Sequence, residues 1–208
     1  MAVSLCTYEC RLWPGLLQSE GYARALFENR MPLLTDEQLA RLNRQRMLLE
    51  RPTVPLHFIV EEAVFRRRLG GRDVQRRQLD YLLEGTAPRS VTLQVMPTDA
   101  EFHACMDGPV RLLETPKVRR LAYSEGQENG RLISDPKEVS LLCQRYDTLR
   151  SQALDPKDSR GLLERLRGEL RARRNWPGSS PATATARATT ASRSPSPNRP
   201  CAYETPRT

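Results

Sequence analysis

The side chains with the most reactive chemistry lie close together in the segment EFHACMD, residues 101–107. His103 and Cys105 supply a ring nitrogen and a thiol, and three carboxylates surround them: Asp99, Glu101 and Asp107. A metal site needs three or four converging nitrogen, sulfur or oxygen ligands, which Cys6 and Cys10 could complete. Neither Cys-x3-Cys nor His-x-Cys is the spacing of a zinc finger or a zinc ribbon. We therefore interpret the segment as a loop histidine beside a half-buried thiol, and we predict no metal site.

A cysteine–histidine nucleophile would use the same side chains. The chain holds two histidines, and we place His57 on a strand and His103 in a loop. The residues that flank Cys105 do not resemble a cysteine-hydrolase signature. A hydrolase-like use of Cys105 and His103 stays open as an alternative, but we predict no catalytic residue and expect no enzyme.

Two further patterns that are typical of enzyme sites, a carboxylate pair and a phosphate-binding glycine loop, do not match the spacing of the residues here. Glu61 and Glu62 are adjacent, so on a strand they point to opposite faces and cannot form a carboxylate pair. The glycines at 70 and 71 match neither the Gly-x-Gly-x-x-Gly pattern nor a phosphate-binding P-loop. We predict no cofactor.

The densest positive charge before the C-terminal tail is the arginine triplet at 66–68, which comes after the glutamate pair at 61–62. A solvated helix face is our default interpretation of this run. Arginine also presents a rigid fork that fits carboxylate or phosphate, so the triplet could hold an anion or an acidic partner. A helix-turn-helix would indicate DNA reading, but no pair of short helices with a tight glycine-containing turn occurs.

Hydrophobic periodicity predicts an alternation of helices and short strands. Strong helix-start signals occur at Asp135-Pro136 and at Asp155-Pro156, where an N-cap residue precedes proline. The predicted elements are helices at 17–30, 35–51, 62–69, 73–84, 135–153 and 155–174 and strands at 56–61, 90–97, 109–115 and 119–125. Short turns join the last strands as an antiparallel meander. The sequence therefore predicts an α+β fold: a small, mainly antiparallel sheet surrounded by helices, with two closing C-terminal helices.

Composition divides the chain in two. Residues 177–208 hold almost no large aliphatic side chain, so we predict a disordered tail rich in Pro, Ser, Thr and Arg. Residues 1–176 are long enough for one domain. The formal net charge is +8, but arginine and glutamate are interleaved along the predicted helices, so we interpret this charge mainly as solvated helix faces. Sequence-independent nucleic-acid binding by the basic body and tail is the alternative function. The odd count of five cysteines, the lack of a signal peptide and the lack of an apolar run of ~20 residues predict a cytoplasmic protein.

Several ordered blocks resemble the uncharacterised C-terminal domain of actinobacterial transcriptional regulators that carry an Xre-type helix-turn-helix at the N-terminus. The first block is PGLLQSEGYARALF at 14–27, and HFIVEEAVFRRRLGG at 57–71 matches the family's strand, acidic step and arginine-bearing helix. The later blocks, at 91–114, 121–126 and 134–166, are similar to its central strand, histidine-containing loop, last strands and closing helices. The resemblance covers about Tyr8 to Leu170.

Such regulators are antitoxin-like, and their genes often lie beside a gene for a small partner protein. The resemblance implies a non-enzymatic regulatory module that senses a small-molecule ligand or holds a protein partner. The helix-turn-helix is missing here, so we do not expect direct sequence-specific DNA binding, nor do we expect membrane binding. Polar and aromatic residues of the resembling blocks are the candidate ligand- or partner-binding residues: Trp13, Tyr22, Glu62, Arg66, Arg67, His103 and Glu125. For Trp13 and Tyr22 we prefer a place in the core.

Overall fold

The structure is a computed structural model that describes residues 3–30, 54–85, 90–117, 119–126 and 130–172. The predicted helix at 35–51 and the predicted disordered tail at 177–208 lie outside these ranges. Both stay predictions, as does the domain boundary at residue 176.

Six strands and a set of helices form the described part of the chain. The strands are β1 (Ser4–Glu9), β2 (Leu56–Glu61), β3 (Val91–Met96), β4 (Val110–Glu114), β5 (Arg120–Glu125) and β6 (Gly130–Ile133). The helices are α1 (Glu20–Arg30), α2 (Glu62–Arg66), α3 (Arg72–Gly85), α4 (Pro136–Gln152) and α5 (Pro156–Ala172), and a 3-10 turn (Gly15–Leu17) precedes α1.

The strands make one sheet in the order β3-β2-β1-β4-β5-β6. The pairs β1–β2 and β2–β3 are parallel, while β1–β4, β4–β5 and β5–β6 are antiparallel. The α+β fold, the mainly antiparallel sheet and the meander are therefore confirmed. The parallel half was not foreseen, and it matters because it brings the carboxyl ends of three strands to the same edge.

Sequence patterns missed two strands, β1 and β6. β1 lies in the middle of the sheet between β2 and β4, although the sequence suggested only a short lead before the first helix. Its sequence, SLCTYE, does not alternate cleanly because the strand contacts covered elements on both faces. β6 has only four residues, too few for a periodic signal.

One face of the parallel half carries the main core. Leu56, Phe58 and Val60 of β2 point to this face, where helices α2, α3 and α5 supply the opposing side chains. These helical side chains include Phe65, Leu79, Leu82, Leu163 and Leu166. Alternate residues of a strand point to opposite faces, which explains why Ile59 belongs to a different cluster.

The opposite face is covered by α4 and by the loop between β3 and β4. Ile59, Tyr8 and Met96 pack there against Tyr146 and Leu149 of α4. The predicted start of α4 is confirmed, because the Asp135 carboxylate accepts hydrogen bonds from the next two free backbone N–H groups, each at 3.0 Å. An N-cap of this kind satisfies donors that have no partner within the helix.

Candidate functional site

The parallel half of the sheet gathers charged side chains at one end. The carboxyl ends of β1, β2 and β3 meet there, together with the start of β4 and the end of β5. In open sheets of this kind, ligands bind outside the carboxyl ends of the parallel strands. We call this end the carboxyl edge and define it by Tyr8, Glu9, Glu61, Glu62, Arg66, Arg67, Thr98, His103, Arg111 and Glu125.

Tyr8, Glu61 and His103 form a hydrogen-bonded cluster on the α4 face of this edge. The phenol of Tyr8 donates to Oε1 of Glu61 at 2.8 Å. Nε2 of His103 lies 3.1 Å from the same carboxylate oxygen and 3.4 Å from the phenol oxygen. All three side chains are largely buried, which makes each of these hydrogen bonds costly to break.

The hydrogen bonds indicate which ring nitrogen of His103 carries the proton. The backbone N–H of Cys105 donates to Nδ1 of His103 at 3.2 Å, so Nδ1 acts as an acceptor. A ring with an accepting Nδ1 is neutral and carries its proton on Nε2. That proton then points to Glu61, which accepts from both Tyr8 and His103.

Burial governs the acid–base character of this cluster. It raises the pKa of Glu61 above the ordinary value, although the Tyr8 phenol and His103 oppose that change. Burial and the nearby Glu61 carboxylate raise the pKa of Tyr8, so the phenol keeps its proton. The cluster is chemically a carboxylate held by two neutral donors, and it ties the β3–β4 loop to the sheet.

Glu62 follows Glu61 but faces another way, because Glu62 begins helix α2 and does not continue the strand. Its Oε2 accepts from the backbone N–H and from the hydroxyl of Thr98, each at 3.1 Å. Its Oε1 accepts from Nε of Arg66 at 2.7 Å. Burial raises the pKa of Glu62, but the Thr98 and Arg66 hydrogen bonds outweigh burial and lower it overall. Glu62 is therefore a fixed negative charge that positions Arg66.

A second charge network joins the ends of β1 and β5. Nη2 of Arg111 lies 3.1 Å from Glu9 and 3.1 Å from Glu125. Arg11 donates to the backbone carbonyl of Glu125 at 3.2 Å, and Arg67 donates to the backbone carbonyl of Arg11 at 3.2 Å. Glu9 is buried, which raises its pKa despite the contact with Arg111.

The structure brings five of the seven predicted site residues to the carboxyl edge: Glu62, Arg66, Arg67, His103 and Glu125. The other two, Trp13 and Tyr22, lie in the core, each with 1 % of its surface exposed. Their ring centroids are 6.1 Å apart, and the Trp13 ring packs edge-on against Phe65 at 4.7 Å. Neither ring is available at the surface to contact a ligand.

Sequence reasoning missed five members of this edge: Tyr8, Glu9, Glu61, Thr98 and Arg111. Tyr8 and Glu9 belong to the strand that the periodicity did not reveal. Arg111 lies on a predicted strand, but its partners are 102 and 14 residues away in the chain. Only the pairing of β1 with both β2 and β4 places these residues together at the edge.

The β3–β4 loop presents two apolar side chains to solvent. His103 and Cys105 point inward, with 6 % of each residue exposed. The loop histidine agrees with the prediction, whereas the Cys105 thiol is buried and not half-buried, because it packs with Ile59, Met96 and Tyr146. Phe102 and Met106 point outward and are 72 % and 60 % exposed. Within the ranges that the structure covers, no three His, Cys, Asp or Glu side chains are placed to hold a metal ion.

Helix α4 fixes this loop from the other side. The side chain of Gln152 accepts from the backbone N–H of Ala104 at 3.1 Å. The guanidinium of Arg145 lies 2.8 Å from Asp107. The loop is therefore anchored at three points, since the His103 cluster supplies the third.

A separate polar network lies beneath α4, away from the carboxyl edge. Gln94 donates its amide to the carbonyl of Leu154 at 2.9 Å, so its oxygen accepts from Nε2 of His57 at 2.8 Å. The Tyr146 hydroxyl lies 3.2 Å from Nδ1 of His57. Burial lowers the pKa of His57, so the ring is neutral at pH 7. This network connects the sheet to α4.

Comparison with known proteins gives a family but no described activity. No curated protein and no solved structure matches the chain. No helix in the described ranges is long and apolar enough to cross a membrane. A family model described as "Domain of unknown function (DUF5753)" matches residues 1–165. The match spans all six strands, the carboxyl edge and the β3–β4 loop, and the chain belongs to the DUF5753 family.

Proposed function

We propose that this protein is a non-enzymatic regulatory module of the antitoxin-like, Xre-type transcriptional regulators of actinobacteria. It acts by holding a small protein partner on the β3–β4 loop. The resemblance of the ordered blocks to those regulators supports the first part, and the blocks lie almost entirely within the matched domain at 1–165. The exposed apolar side chains of the anchored loop support the proposal that this loop binds a protein partner.

Exposed apolar side chains on a fixed loop are the main argument for a protein partner. Phe102 and Met106 flank the buried residues His103 and Cys105, so the loop cannot turn its apolar side chains inward without breaking the His103 cluster. Phenylalanine and methionine are enriched where proteins bind each other. A loop that is already rigid also loses little conformational entropy on binding.

Helix α4 extends the apolar surface beside the loop. Leu141 is 51 % exposed and lies one turn before Arg145, whose partner Asp107 directly follows Met106. Leu141 and Met106 therefore flank the same ion pair. We define the loop surface as Phe102, Met106 and Leu141.

The charge around the loop surface specifies the chemistry of the partner. Asp99 and Glu101 are exposed, and neither has an ion-pair partner in the described part of the chain. Asp107 is already neutralised by Arg145. A partner that fits this surface has an apolar groove bordered by lysine or arginine, because charge complementarity sets the orientation of such complexes.

The test is co-expression of the full chain with the small protein encoded beside it, followed by affinity purification and size-exclusion chromatography. We expect a stable complex with the wild-type chain and loss of the complex with Phe102→Ser/Met106→Ser. Leu132→Ser is the matched control, because Leu132 is 66 % exposed but lies on β6. Far-UV circular dichroism checks that each variant is folded.

Three outcomes decide the proposal. A complex that is lost only in the loop variant supports it. A complex that survives in the loop variant, or is lost equally in Leu132→Ser, contradicts the assignment of the loop surface. No complex with the wild-type chain contradicts a neighbour-encoded protein partner.

A further inference from the structure

A pocket of about 170 Å³ lies at the opposite end of the sheet from the carboxyl edge. It opens between α4 and the strands β1, β4 and β5. Its lining includes Cys6, Leu112, Glu114, Arg120, Cys143 and Tyr146. An engineered protein cavity of about 150 Å³ binds benzene, so the volume suits a ligand of that size.

Arg120 is the unusual member of this lining. It is paired directly across the antiparallel ladder with Glu114, yet no carboxylate in the described residues lies within ion-pair distance of its guanidinium. Glu114 instead accepts a hydrogen bond from the Ser4 hydroxyl at 3.3 Å. Arg120 and Cys143 line the pocket together, and the guanidinium opposes the rise that burial causes in the pKa of the thiol. Arg120 is exposed, and a guanidinium has five N–H donors, so a ligand that replaces solvent at the pocket mouth can pair with it.

The two thiols give the pocket wall an uncharged, polarisable part. Burial raises the pKa of both Cys6 and Cys143, although Arg120 opposes that rise. Both sulfurs therefore stay protonated at neutral pH and do not cancel the arginine charge. Together with Leu112 they offer an apolar surface beside one cation.

The other charges in the lining limit the ligand to a single negative charge. Glu114 and Asp147 both border the pocket. Asp147 is only partly neutralised, since its nearest cation is Arg150 at 3.6 Å. These carboxylates repel a phosphate dianion about twice as strongly as a monoanion, and a monocarboxylate fits the planar fork of one arginine.

We propose that this pocket binds a small monocarboxylate, whose carboxylate pairs with Arg120 and whose apolar body packs on Leu112 and the thiols of Cys6 and Cys143. The site is separate from the loop surface, so it does not depend on the proposed protein partner.

Titration of the full-length chain by isothermal calorimetry tests the chemistry. The probes are benzoate, its neutral analogue benzamide, isobutyrate and inorganic phosphate. We expect binding of benzoate and isobutyrate and little binding of benzamide or phosphate. Arg120→Gln should weaken benzoate binding by about tenfold or more, as loss of a charge-assisted hydrogen bond predicts.

Arg119→Gln is the matched control. It removes the same charge from the neighbouring residue, whose side chain is exposed and is not part of the pocket lining. Arg120→Lys keeps the charge but loses the planar fork, and it should give an intermediate affinity. Equal weakening by Arg119→Gln and Arg120→Gln would overturn the proposed contact.

A second readout uses the wild-type chain and does not depend on the folding of a variant. A bound carboxylate should slow alkylation of Cys143 by iodoacetamide while leaving the rate at Cys10 unchanged, since Cys10 follows β1 at the carboxyl edge. The proposal is overturned if benzoate and benzamide protect Cys143 equally, if neither protects it, or if phosphate binds as tightly as benzoate.

Discussion

The phenol oxygen of Tyr8 lies 2.8 Å from Oε1 of Glu61, although 53 residues separate them in the chain. The contact joins the ends of two parallel strands, and His103 extends it to the β3–β4 loop. One buried carboxylate thus holds together the strand that begins the described chain and the loop that carries Phe102 and Met106. The geometry of the loop surface depends on this contact.

Removal of the Tyr8 hydroxyl should destabilise the fold. Tyr8→Phe leaves Glu61 largely buried with one donor fewer, so we expect the free energy of unfolding to fall by about 1–3 kcal/mol. Urea denaturation followed by circular dichroism measures this. Tyr123→Phe is the control, because the Tyr123 hydroxyl has no hydrogen-bond partner among the residues described. Equal stability of Tyr8→Phe and Tyr123→Phe would argue against the cluster.

Stability should depend on pH through His57. Burial lowers the pKa of His57 below its ordinary value of 6.5, so the unfolded chain binds a proton more readily than the folded one. The neutral His57 ring makes its full contribution to the free energy of unfolding above pH 6.5. That contribution is lost as the pH falls toward the lowered pKa of the folded chain. The free energy of unfolding should therefore decrease between about pH 7.5 and 5.5.

The variant His57→Gln isolates this effect. Glutamine can keep a donor to Gln94 and an acceptor for Tyr146 but does not titrate. We expect a smaller change in unfolding free energy over the same pH range than in the wild-type chain. Identical pH dependence of the two proteins would mean that His57 does not contribute.

The cysteines should react in a defined order. Burial raises the pKa of Cys105 to about 11, and only 6 % of the residue is exposed. Burial also raises the pKa of Cys143, but this thiol is half-buried, and the positive charge of Arg120 favours the thiolate. At about pH 8, iodoacetamide should label Cys143 before Cys105.

Peptide mass spectrometry at successive times measures the two rates. In urea both thiols should react at similar rates, which controls for differences between the peptides. Faster labelling of Cys105 than of Cys143 in the folded chain would contradict the burial described here.

Two adjacent glycines should differ in their tolerance of a methyl group. Gly70 has a φ of +71°, and a Cβ there would lie 2.5 Å from the Cβ of Ala25. Gly71 has a φ of +89°, but no atom lies within 4 Å of the position of its Cβ. Both alanine variants incur backbone strain of about 1–2 kcal/mol.

Only Gly70→Ala should add a steric clash, which costs about 1–3 kcal/mol more. Thermal melting of both variants checks the difference. A melting temperature of Gly70→Ala equal to or above that of Gly71→Ala would show that α1 moves aside without cost.

Local signals in the sequence determined most of the elements. The alternation in LHFIVE and SVTLQVMP identified β2 and β3, and the Asp-Pro steps identified the starts of α4 and α5. Such signals depend on residues that are neighbours in the chain, so no knowledge of the fold is needed. Glu62, Arg66, Arg67, His103 and Glu125 were found because the resembling blocks contain them.

Only the tertiary structure decided how these elements combine. β1 pairs with β2 in parallel and with β4 antiparallel, and its own sequence carries no clear alternation because both of its faces are covered. Tyr8 and Arg111 therefore gain their roles from partners far away in the chain. The same holds for Arg120, whose nearest cross-strand carboxylate is present in the sequence but is turned toward Ser4. Side-chain pairing across a sheet is fixed by strand order and packing, which local residue patterns do not specify.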